Sequence, residues 1–392
     1  MLRVLQVYKT NFPEVRGGVD QVVCSLLRQA PADCRCSLLR TAPWTQRAAV
    51  FDVIEGIDVI SMHLPVPPAR ATAWMSWWFL FTRAPRALWQ LRSVLRAQGV
   101  DVVHLHTLQF YQLYFVLCRV LGGPPLIVTL HRAEVLEFEH RHWLMRACWQ
   151  WVLQRASAVN AVSAWLCAEA QRRLPFVTKI ECITNGIAEP PDTLPDGAVL
   201  RRHLGLPDDY VCMVGVLEHY KGHDLALRCW AELDSDVALV LIGNGSAMGA
   251  YQDLCARLGL SQRVHLLGQL PHDETLCLLR DSRAMLMPSR NEGLGLAILE
   301  AGLLGVPVIA SDIAPFQEML RHEHNGLLFR SDDSHALTDC VRRLLGEPAL
   351  GERLARQFGA DVRAHFSFAD NARRYGELYQ RAVRDSGQQR AS

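Results

Sequence analysis

Short apolar runs alternate along this chain with longer stretches in which apolar residues recur every three or four positions. Strands buried on both faces read as continuous apolar runs and covering helices as amphipathic ones, so the alternation predicts parallel sheets layered with helices. In the first half the pattern places strands at 3–8, 57–61, 101–105, 125–130, 157–162 and 179–184, with helices at 19–29, 84–98, 108–121, 143–155 and 163–173. A polar connector follows, Glu189-Pro190-Pro191-Asp192-Thr193-Leu194-Pro195-Asp196-Gly197, stiffened by its prolines. The pattern then restarts, with strands at 210–214, 237–242, 263–267, 284–287, 306–310 and 326–329. The predicted fold class is α/β, with two Rossmann-like domains at 1–190 and 197–365. The remaining segment, 366–392, has Ser367 as an N-cap and opens a helix to about 384. Open α/β sheets bind ligands at the carboxyl ends of their strands, so an interdomain cleft is the expected site.

Length and composition agree with this division. At 392 residues the chain exceeds one ordinary domain, and 50% hydrophobic with 21% charged residues is too apolar for disorder. A formal net charge of +1 gives no overall field for nucleic acid, and none is expected as a partner. The average hides an asymmetry: residues 1–195 carry 20 basic and 14 acidic residues, and 196–392 carry 21 and 26. Nine of the ten Trp also lie in the first half. The twelve Cys are scattered without CxxC or Cys/His zinc spacing, which reads as buried thiols in a reducing cytoplasm. The N-terminus reads as a first strand rather than a signal peptide. No apolar run reaches the ~18–20 residues of a membrane span; even 110–130 is broken by Arg119 and by Gly122-Gly123-Pro124-Pro125. A soluble or peripheral protein is expected.

The most informative stretch is Pro288-Ser289-Arg290-Asn291-Glu292-Gly293-Leu294-Gly295-Leu296-Ala297-Ile298-Leu299-Glu300-Ala301, which follows the strand Ala284-Met285-Leu286-Met287 and opens a helix. Gly293 and Gly295 let backbone N–H groups approach a ligand closely, and the helix N-terminus favours a phosphate there. Glu292 in the loop and Glu300 in the helix would offer two carboxylates to sugar hydroxyls. With Gly305-Val306-Pro307-Val308-Ile309-Ala310-Ser311-Asp312 downstream, the sequence resembles the retaining glycosyltransferase family 4, of GT-B fold, over nearly the whole chain. That resemblance implies that Glu300 holds the nucleotide ribose, Glu292 the donor sugar, and the backbone around Leu294 and Gly295 the diphosphate and sugar. It also implies an acceptor-binding first domain, a donor-binding second domain and a last helix that crosses back to the first. No metal or other cofactor is expected, the nucleotide-sugar being a substrate.

A second match is Val214-Gly215-Val216-Leu217-Glu218-His219-Tyr220-Lys221-Gly222. Lys221, just after a strand, would place a full charge beside a diphosphate leaving group. The family usually has Arg where this chain has Val216, and Asp where Ala188 follows Asn185-Gly186-Ile187. Gly17-Gly18-Val19-Asp20 forms another anion-friendly turn, which in the family lies under the acceptor and near the donor phosphates. His104 and His106 alternate on one side of a strand; a metal reading lacks an evident third ligand, and His106 is placed with the acceptor loop. His131 ends the strand Leu126-Ile127-Val128-Thr129-Leu130 and resembles the family's active-site His, which contacts the transferred sugar. Arg132 stands where the family often has Asp, Glu134 is a further candidate, and His140 and His142 read as surface residues.

Two imitations are set aside. Asp234-Ser235-Asp236 has the form of a metal-binding Asp-x-Asp but precedes its strand, at the wrong end for the site. Gly243-Asn244-Gly245 hints at a dinucleotide fingerprint whose third Gly falls one position late, at 249. Between Asp58 and Asp101 there is no acidic residue. That stretch carries five Arg, together with Trp89 and the run Trp74-Met75-Ser76-Trp77-Trp78-Phe79-Leu80-Phe81. Such a segment suits an anionic membrane surface, read here over 74–96.

The expected activity is retaining transfer of a hexose from a nucleotide-sugar to an acceptor, with His131, Lys221 and Glu292 as catalytic candidates. Gly215, Lys221, Glu292, Gly293, Leu294, Gly295 and Glu300 would bind the donor, and Gly17, Gly18 and His106 would lie at the acceptor and phosphate loop. The opening Val4-Leu5-Gln6-Val7-Tyr8-Lys9-Thr10-Asn11-Phe12-Pro13 resembles bacterial O-antigen mannosyl- or rhamnosyltransferases. It implies a GDP-sugar, a lipid-linked glycan acceptor, lipopolysaccharide or exopolysaccharide synthesis, and a cytoplasmic protein peripheral at the inner face of the plasma membrane. Two other readings stand beside it: a nucleotide-sugar 2-epimerase of similar architecture, and a membrane-associated partner with a decayed site.

Overall fold

The computed structural model describes residues 1–10, 12–14, 17–42, 48–66 and 82–391, the side chains of 389–391 excepted. The Trp- and Phe-rich run at 74–81 lies outside the described residues. The chain forms two compact units. One comprises Met1–Glu14, Val19–Thr184 and Ala369–Ser392, and the other Val15–Gly18 and Asn185–Phe368.

The first unit is built on an eight-stranded sheet. In chain order its strands are β1 (Leu2–Val7), β2 (Cys34–Thr41), β3 (Val50–Ile54), β4 (Ile57–Met62), β5 (Val102–His106), β6 (Leu126–Leu130), β7 (Ala158–Ala161) and β8 (Ile180–Cys182). Their spatial order is β3-β4-β2-β1-β5-β6-β7-β8. All pair parallel except the edge strand β3, which pairs antiparallel with β4. The strand order reverses between β1 and β5, which places the topological switch of this sheet there.

Strands β2 and β3 are absent from the reading of the pattern. β2, Cys-Arg-Cys-Ser-Leu-Leu-Arg-Thr, carries Arg and Ser among its apolar residues and shows no continuous run, although Cys34, Cys36, Leu38 and Leu39 are buried. β3 lies at the sheet edge with Val50, Phe51 and Val53 exposed, so no buried face marks it. The helix Ala84–Ala97 buries Ala87, Leu91, Val94 and Leu95 in the core under the sheet. The last helix, Phe368–Ala391, runs further than 384 and packs Tyr375 and Tyr379, both fully buried, within this unit.

The second unit has a six-stranded, all-parallel sheet of order β11-β10-β9-β12-β13-β14. Its strands are β9 (Tyr210–Val214), β10 (Ala238–Ile242), β11 (Val264–Gly268), β12 (Met285–Met287), β13 (Val308–Ser311) and β14 (Leu327–Phe329). Each lies within two residues of the predicted ranges. β9, β10 and β12 are almost wholly buried, which is why they read as unbroken apolar runs. The order reverses between β9 and β12, so the loops after these two strands flank the switch of this sheet. The twelve Cys are free, ten of them buried. Burial pushes thiols up, Cys212 to about 12, which suits packing rather than nucleophilic chemistry. Asp234 and Asp236 precede β10 at the amino end of the sheet, as a turn would.

Candidate active site

In the second unit the loops that follow the strands are pinned to one another through glycines. An added Cβ at Gly243 would lie 1.9 Å from the Gly215 carbonyl oxygen, and one at Gly245 would lie 2.3 Å from that of Leu217. One at Gly222 would lie 2.0 Å from the carbonyl oxygen of Pro288, so the loops after β9, β10 and β12 cross backbone to backbone. This accounts for Gly243-Asn244-Gly245 without a dinucleotide. Glu218 completes the join between the first two loops by accepting from the backbone N–H and hydroxyl of Ser246 at 2.9 and 2.8 Å.

These loops bring two of the predicted site residues together. Lys221 ends the short turn His219–Lys221, and its Nζ donates to Glu292 Oε1 at 2.5 Å. Both side chains are largely shielded, at 13% and 9% exposure, so the pair is an ion pair in a low-dielectric setting rather than a surface bridge. Ser289 Oγ donates to the same carboxylate oxygen at 3.0 Å, and Ser311 Oγ donates to the Ser289 carbonyl oxygen. Gly215 faces the Lys221 stem: an added Cβ would meet its Cε and Nζ at 3.4 Å.

Gly295, at φ +98°, caps the helix Leu296–Leu303, and an added Cβ there would meet Phe316 at 2.8 Å. Gly293 and Leu294, beside it, are buried. Glu300 lies in that helix, buried, and its Oε1 meets His272 Nε2 at 3.4 Å. His272 begins the helix His272–Arg280 after β11, so the loops after four different strands contribute to this region.

Arg290 holds the Gly-rich loop in place. Its guanidinium donates to both oxygens of Asp224 at 2.8 Å, to Asp332 at 2.6 Å and to the His219 carbonyl oxygen at 2.7 Å. Burial alone would raise the Asp224 pKa, but the bonded guanidinium holds that carboxyl below the usual range. Arg290 is thus committed to the scaffold and does not replace the basic residue that the family has at Val216. Gly186 has a structural reason too: an added Cβ would lie 2.5 Å from the Ser367 carbonyl oxygen, where Ile187 pairs with Phe366 and Phe368.

In the first unit His131 follows β6 and is 8% exposed. Glu134 Oε2 accepts from the backbone N–H groups of His131 and Arg132 at 3.1 and 3.3 Å, so this carboxylate fixes the turn that presents the ring. His106 is fully buried and lies one step behind, its Nδ1 3.2 Å from His131 Nε2. It was expected at the acceptor loop; the structure shows it bonded to His131 and Gln6 inside the sheet. His104 is also fully buried, its ring nitrogens 2.9 Å from Tyr379 Oη and 2.6 Å from Thr129 Oγ1. The remaining His106 nitrogen, Nε2, meets Gln6 Oε1 at 2.8 Å. The alternating pair faces one side as predicted, but protein partners take up all four ring nitrogens. Burial pushes the His104 and His131 pKa values down to about 3, and that of His106 well below its usual value, so all three rings are neutral near pH 7. Gly17 and Gly18 lie at the start of the helix Gly18–Arg28. His140 and His142 are exposed, the latter capping the helix Trp143–Arg155.

The sequence did not single out Ser289, Ser311, Asp224 or His272 as site supports, nor Gln6, Thr129, Asn160, Tyr375 and Tyr379. The only signal for Gln6, Thr129 and Asn160 is a polar residue inside an otherwise apolar strand.

Two α/β units, each on a sheet of parallel strands but for one edge strand of the first, with charged and glycine-rich loops at the carboxyl ends of the second sheet, define a glycosyltransferase of GT-B type. Residues 16–189 match the family model Glycosyltransferase Family 4, and residues 200–362 match Glycosyl transferases group 1. The protein is accordingly a glycosyltransferase of GT-B type, a hexosyltransferase that takes its sugar from a nucleotide-sugar. It is 27% identical over 384 residues to the D-rhamnosyltransferase WbpZ of Pseudomonas aeruginosa, covering 93% of this chain and 92% of that one. It is 28% identical over 305 residues to the alpha-D-kanosaminyltransferase of Streptomyces kanamyceticus, covering 72% and 78%. In fold it is similar to sucrose-phosphate synthase from Thermosynechococcus elongatus, with a TM-score of 0.78, 20% identity and coverage of 97% and 99%. Anabaena HepE in complex with UDP-glucose has a TM-score of 0.75, 19% identity and coverage of 97% and 100%.

Proposed function

We propose that the protein transfers mannose or a related hexose from a GDP-sugar to a lipid-linked glycan, with retention, during synthesis of a bacterial cell-surface polysaccharide such as O-antigen. The observation that carries the transferase chemistry is the Lys221–Glu292 pair beside the Gly-rich loop, with Glu300 in the helix that this loop opens. The rhamnosyltransferase relative, matched over nearly its whole length, supports the choice of sugar.

In this reading Gly215, Lys221, Gly293, Leu294 and Gly295 meet the diphosphate, Glu292 the donor sugar and Glu300 the ribose. Lys221 neutralises Glu292 in the structure. A diphosphate gives Lys221 a doubly charged partner and leaves the Glu292 carboxylate free to accept from sugar hydroxyls. The bond from the sugar carbon to the diphosphate breaks and the bond to the acceptor oxygen forms on the same face, the acceptor proton passing to the leaving phosphate oxygen. Lys221 and the positive end of the helix Leu296–Leu303 stabilise the charge that develops, without a metal ion. The first unit takes the acceptor, with Gly17 and Gly18 near it and His131 accepting a hydroxyl of the transferred sugar.

Membrane attachment at the inner face of the plasma membrane belongs to the same proposal. The helix Ala84–Ala97 turns Arg86, Trp89 and Arg96 outward, Trp89 at 70% exposure, and Arg141, Trp143, Leu144 and Arg146 are exposed near the start of another helix. Arg beside exposed aromatic side chains suits an anionic interface. No helix among the described residues is long and apolar enough to cross a membrane.

A melting-temperature panel with GDP- and UDP-sugars tests the donor, because a ligand that binds only the folded state raises Tm. A rise with GDP-mannose or GDP-rhamnose that is lost in Glu300→Ala is the expected result. A rise with UDP-sugars alone would overturn the choice of base.

A further inference from the structure

Behind His131 the first unit holds a run of hydrogen bonds that crosses its sheet and ends on the last helix. His131 Nε2 lies 3.2 Å from His106 Nδ1, and His106 Nε2 lies 2.8 Å from Gln6 Oε1. Gln6 Nε2 donates to Tyr379 Oη at 3.2 Å and to Cys36 Sγ at 3.6 Å. Tyr379 Oη is 2.9 Å from His104 Nδ1, and His104 Nε2 is 2.6 Å from Thr129 Oγ1. Thr129 donates to Asn160 Oδ1 at 2.8 Å, and Asn160 Nδ2 donates to Tyr375 Oη at 3.1 Å. Gln6, His104, His106, Thr129, Asn160, Tyr375 and Tyr379 are each fully buried. Water is kept from the run, and every donor must find its acceptor inside it.

The two amides give the run one direction. Gln6 turns both N–H groups toward Tyr379 and Cys36, so its carbonyl oxygen accepts and His106 Nε2 carries the proton. A neutral imidazole has one N–H, so His106 Nδ1 is an acceptor and His131 must donate from Nε2. The same reasoning runs the other way: Tyr379 accepts from Gln6 and donates to His104 Nδ1, His104 donates from Nε2, and Asn160 Oδ1 takes the Thr129 hydroxyl proton. Burial keeps the three rings neutral, which the one-proton count requires.

We propose that this run sets the tautomer of His131, leaving its Nδ1 as an unprotonated acceptor, and that Gln6, His106 and Tyr379 are positioning residues for that ring. The last helix thereby acts on a ring that the chain forms more than two hundred residues earlier. The tautomer stands on the hydrogen bonds and on rings kept neutral by burial; its use in accepting a sugar hydroxyl rests on the role given to His131 above.

The test is long-range proton–nitrogen NMR of the full chain labelled with nitrogen-15 histidine, with His131 identified by its loss in His131→Asn. His131 is expected to show a protonated Nε2 and an unprotonated Nδ1. In Gln6→Met, His106 loses its acceptor, and the expected result is a mixture of tautomers at His131; Gln6→Glu keeps an acceptor and restores the single form. Tyr379→Phe, which keeps the ring, gives a second route to the same mixture should Gln6→Met fail to fold. Outer-shell partners that fix the tautomer of a metal-ligating histidine are worth roughly tenfold to a hundredfold in activity, and a fall of at least tenfold in kcat is expected in Gln6→Met while donor KM changes little. A protonated Nδ1 in the native protein, or a His131 tautomer unmoved in both variants, overturns the proposal. Normal turnover in His131→Asn with the expected tautomer would instead overturn the role of the ring and leave the hydrogen-bond run standing.

Discussion

The two units present their candidate chemistry in opposite ways. In the second, charged groups sit on the loops and in the helices that follow the strands: Lys221 against Glu292, Arg290 against Asp224 and Asp332, and Glu300 near His272. In the first, neutral groups sit on strands, with Gln6, His104, His106, Thr129 and Asn160 all inside the sheet layer and fully buried. The difference follows from solvation. A loop at the end of a sheet can pair its ions and offer them to a charged ligand, whereas an ion inside the sheet would pay the full desolvation penalty. The second unit is built to meet charge, and the first to hold a ring in one state.

Removing the lysine breaks the comparison most severely. In the proposed role, Lys221→Ala takes away the cation that meets the diphosphate and leaves the shielded Glu292 carboxylate with the Ser289 hydroxyl alone in place of its ion partner. Loss of a single preorganised group that stabilises developing charge costs about 10²–10³ in kcat. Transfer assayed with a radiolabelled nucleotide-sugar should fall at least that far while circular dichroism stays native. Near-normal turnover would show that Lys221 is scaffold.

The charged half of this contrast was legible in the sequence and the neutral half was not. Lys221, Glu292 and Glu300 sit in short motifs, each a strand followed by a Gly-rich loop, whose local geometry is set by residues a few positions apart. His104 and His106 were placed on one side of a strand by their alternation, and the structure puts their ring centroids 4.1 Å apart. What they bond to was hidden. Their partners Gln6, Thr129 and Tyr379 come from β1, β6 and the last helix, and Gln6 and Tyr379 are 373 positions apart. No spacing rule joins such residues; only the strand order β1-β5-β6 does. β2 was missed for a related reason: it lies between β4 and β1, yet its Arg and Ser hide a buried face.

Acid should act on the neutral half. His104 and His131 sit near 3 in the folded chain, against about 6.5 for an unperturbed histidine. The unfolded chain then binds more protons across that window, so the stability of the fold is complete above about pH 6.5 and is lost as pH falls toward 3. At about pH 5 the loss is about 2 kcal/mol for each of these imidazoles, since one pKa unit is about 1.4 kcal/mol. A lower melting temperature at pH 5 than at pH 7 is the expected outcome, with a smaller drop in His104→Asn. Equal drops in both proteins would place the acid sensitivity elsewhere.

The smallest expected effect sharpens the contrast at its least determined point. The glycines where the loops after β9, β10 and β12 cross are held by contact: an added Cβ at Gly243 or Gly222 would strike a carbonyl oxygen at about 2 Å. Gly17 differs. An added Cβ there meets nothing within 4 Å among the described residues, and its φ lies outside the left-handed range. Gly17→Ala should therefore leave stability unchanged or raise it by about 0.4–1 kcal/mol, because alanine restricts the unfolded chain. Among the described residues packing gives no reason for a glycine at this position; close approach of a ligand to the backbone would supply one. If Gly17 lies beside the acceptor and donor phosphates, Gly17→Ala will raise KM with melting temperature intact. Unaltered kinetics would remove Gly17 from the site and leave Gly18 alone to represent that turn.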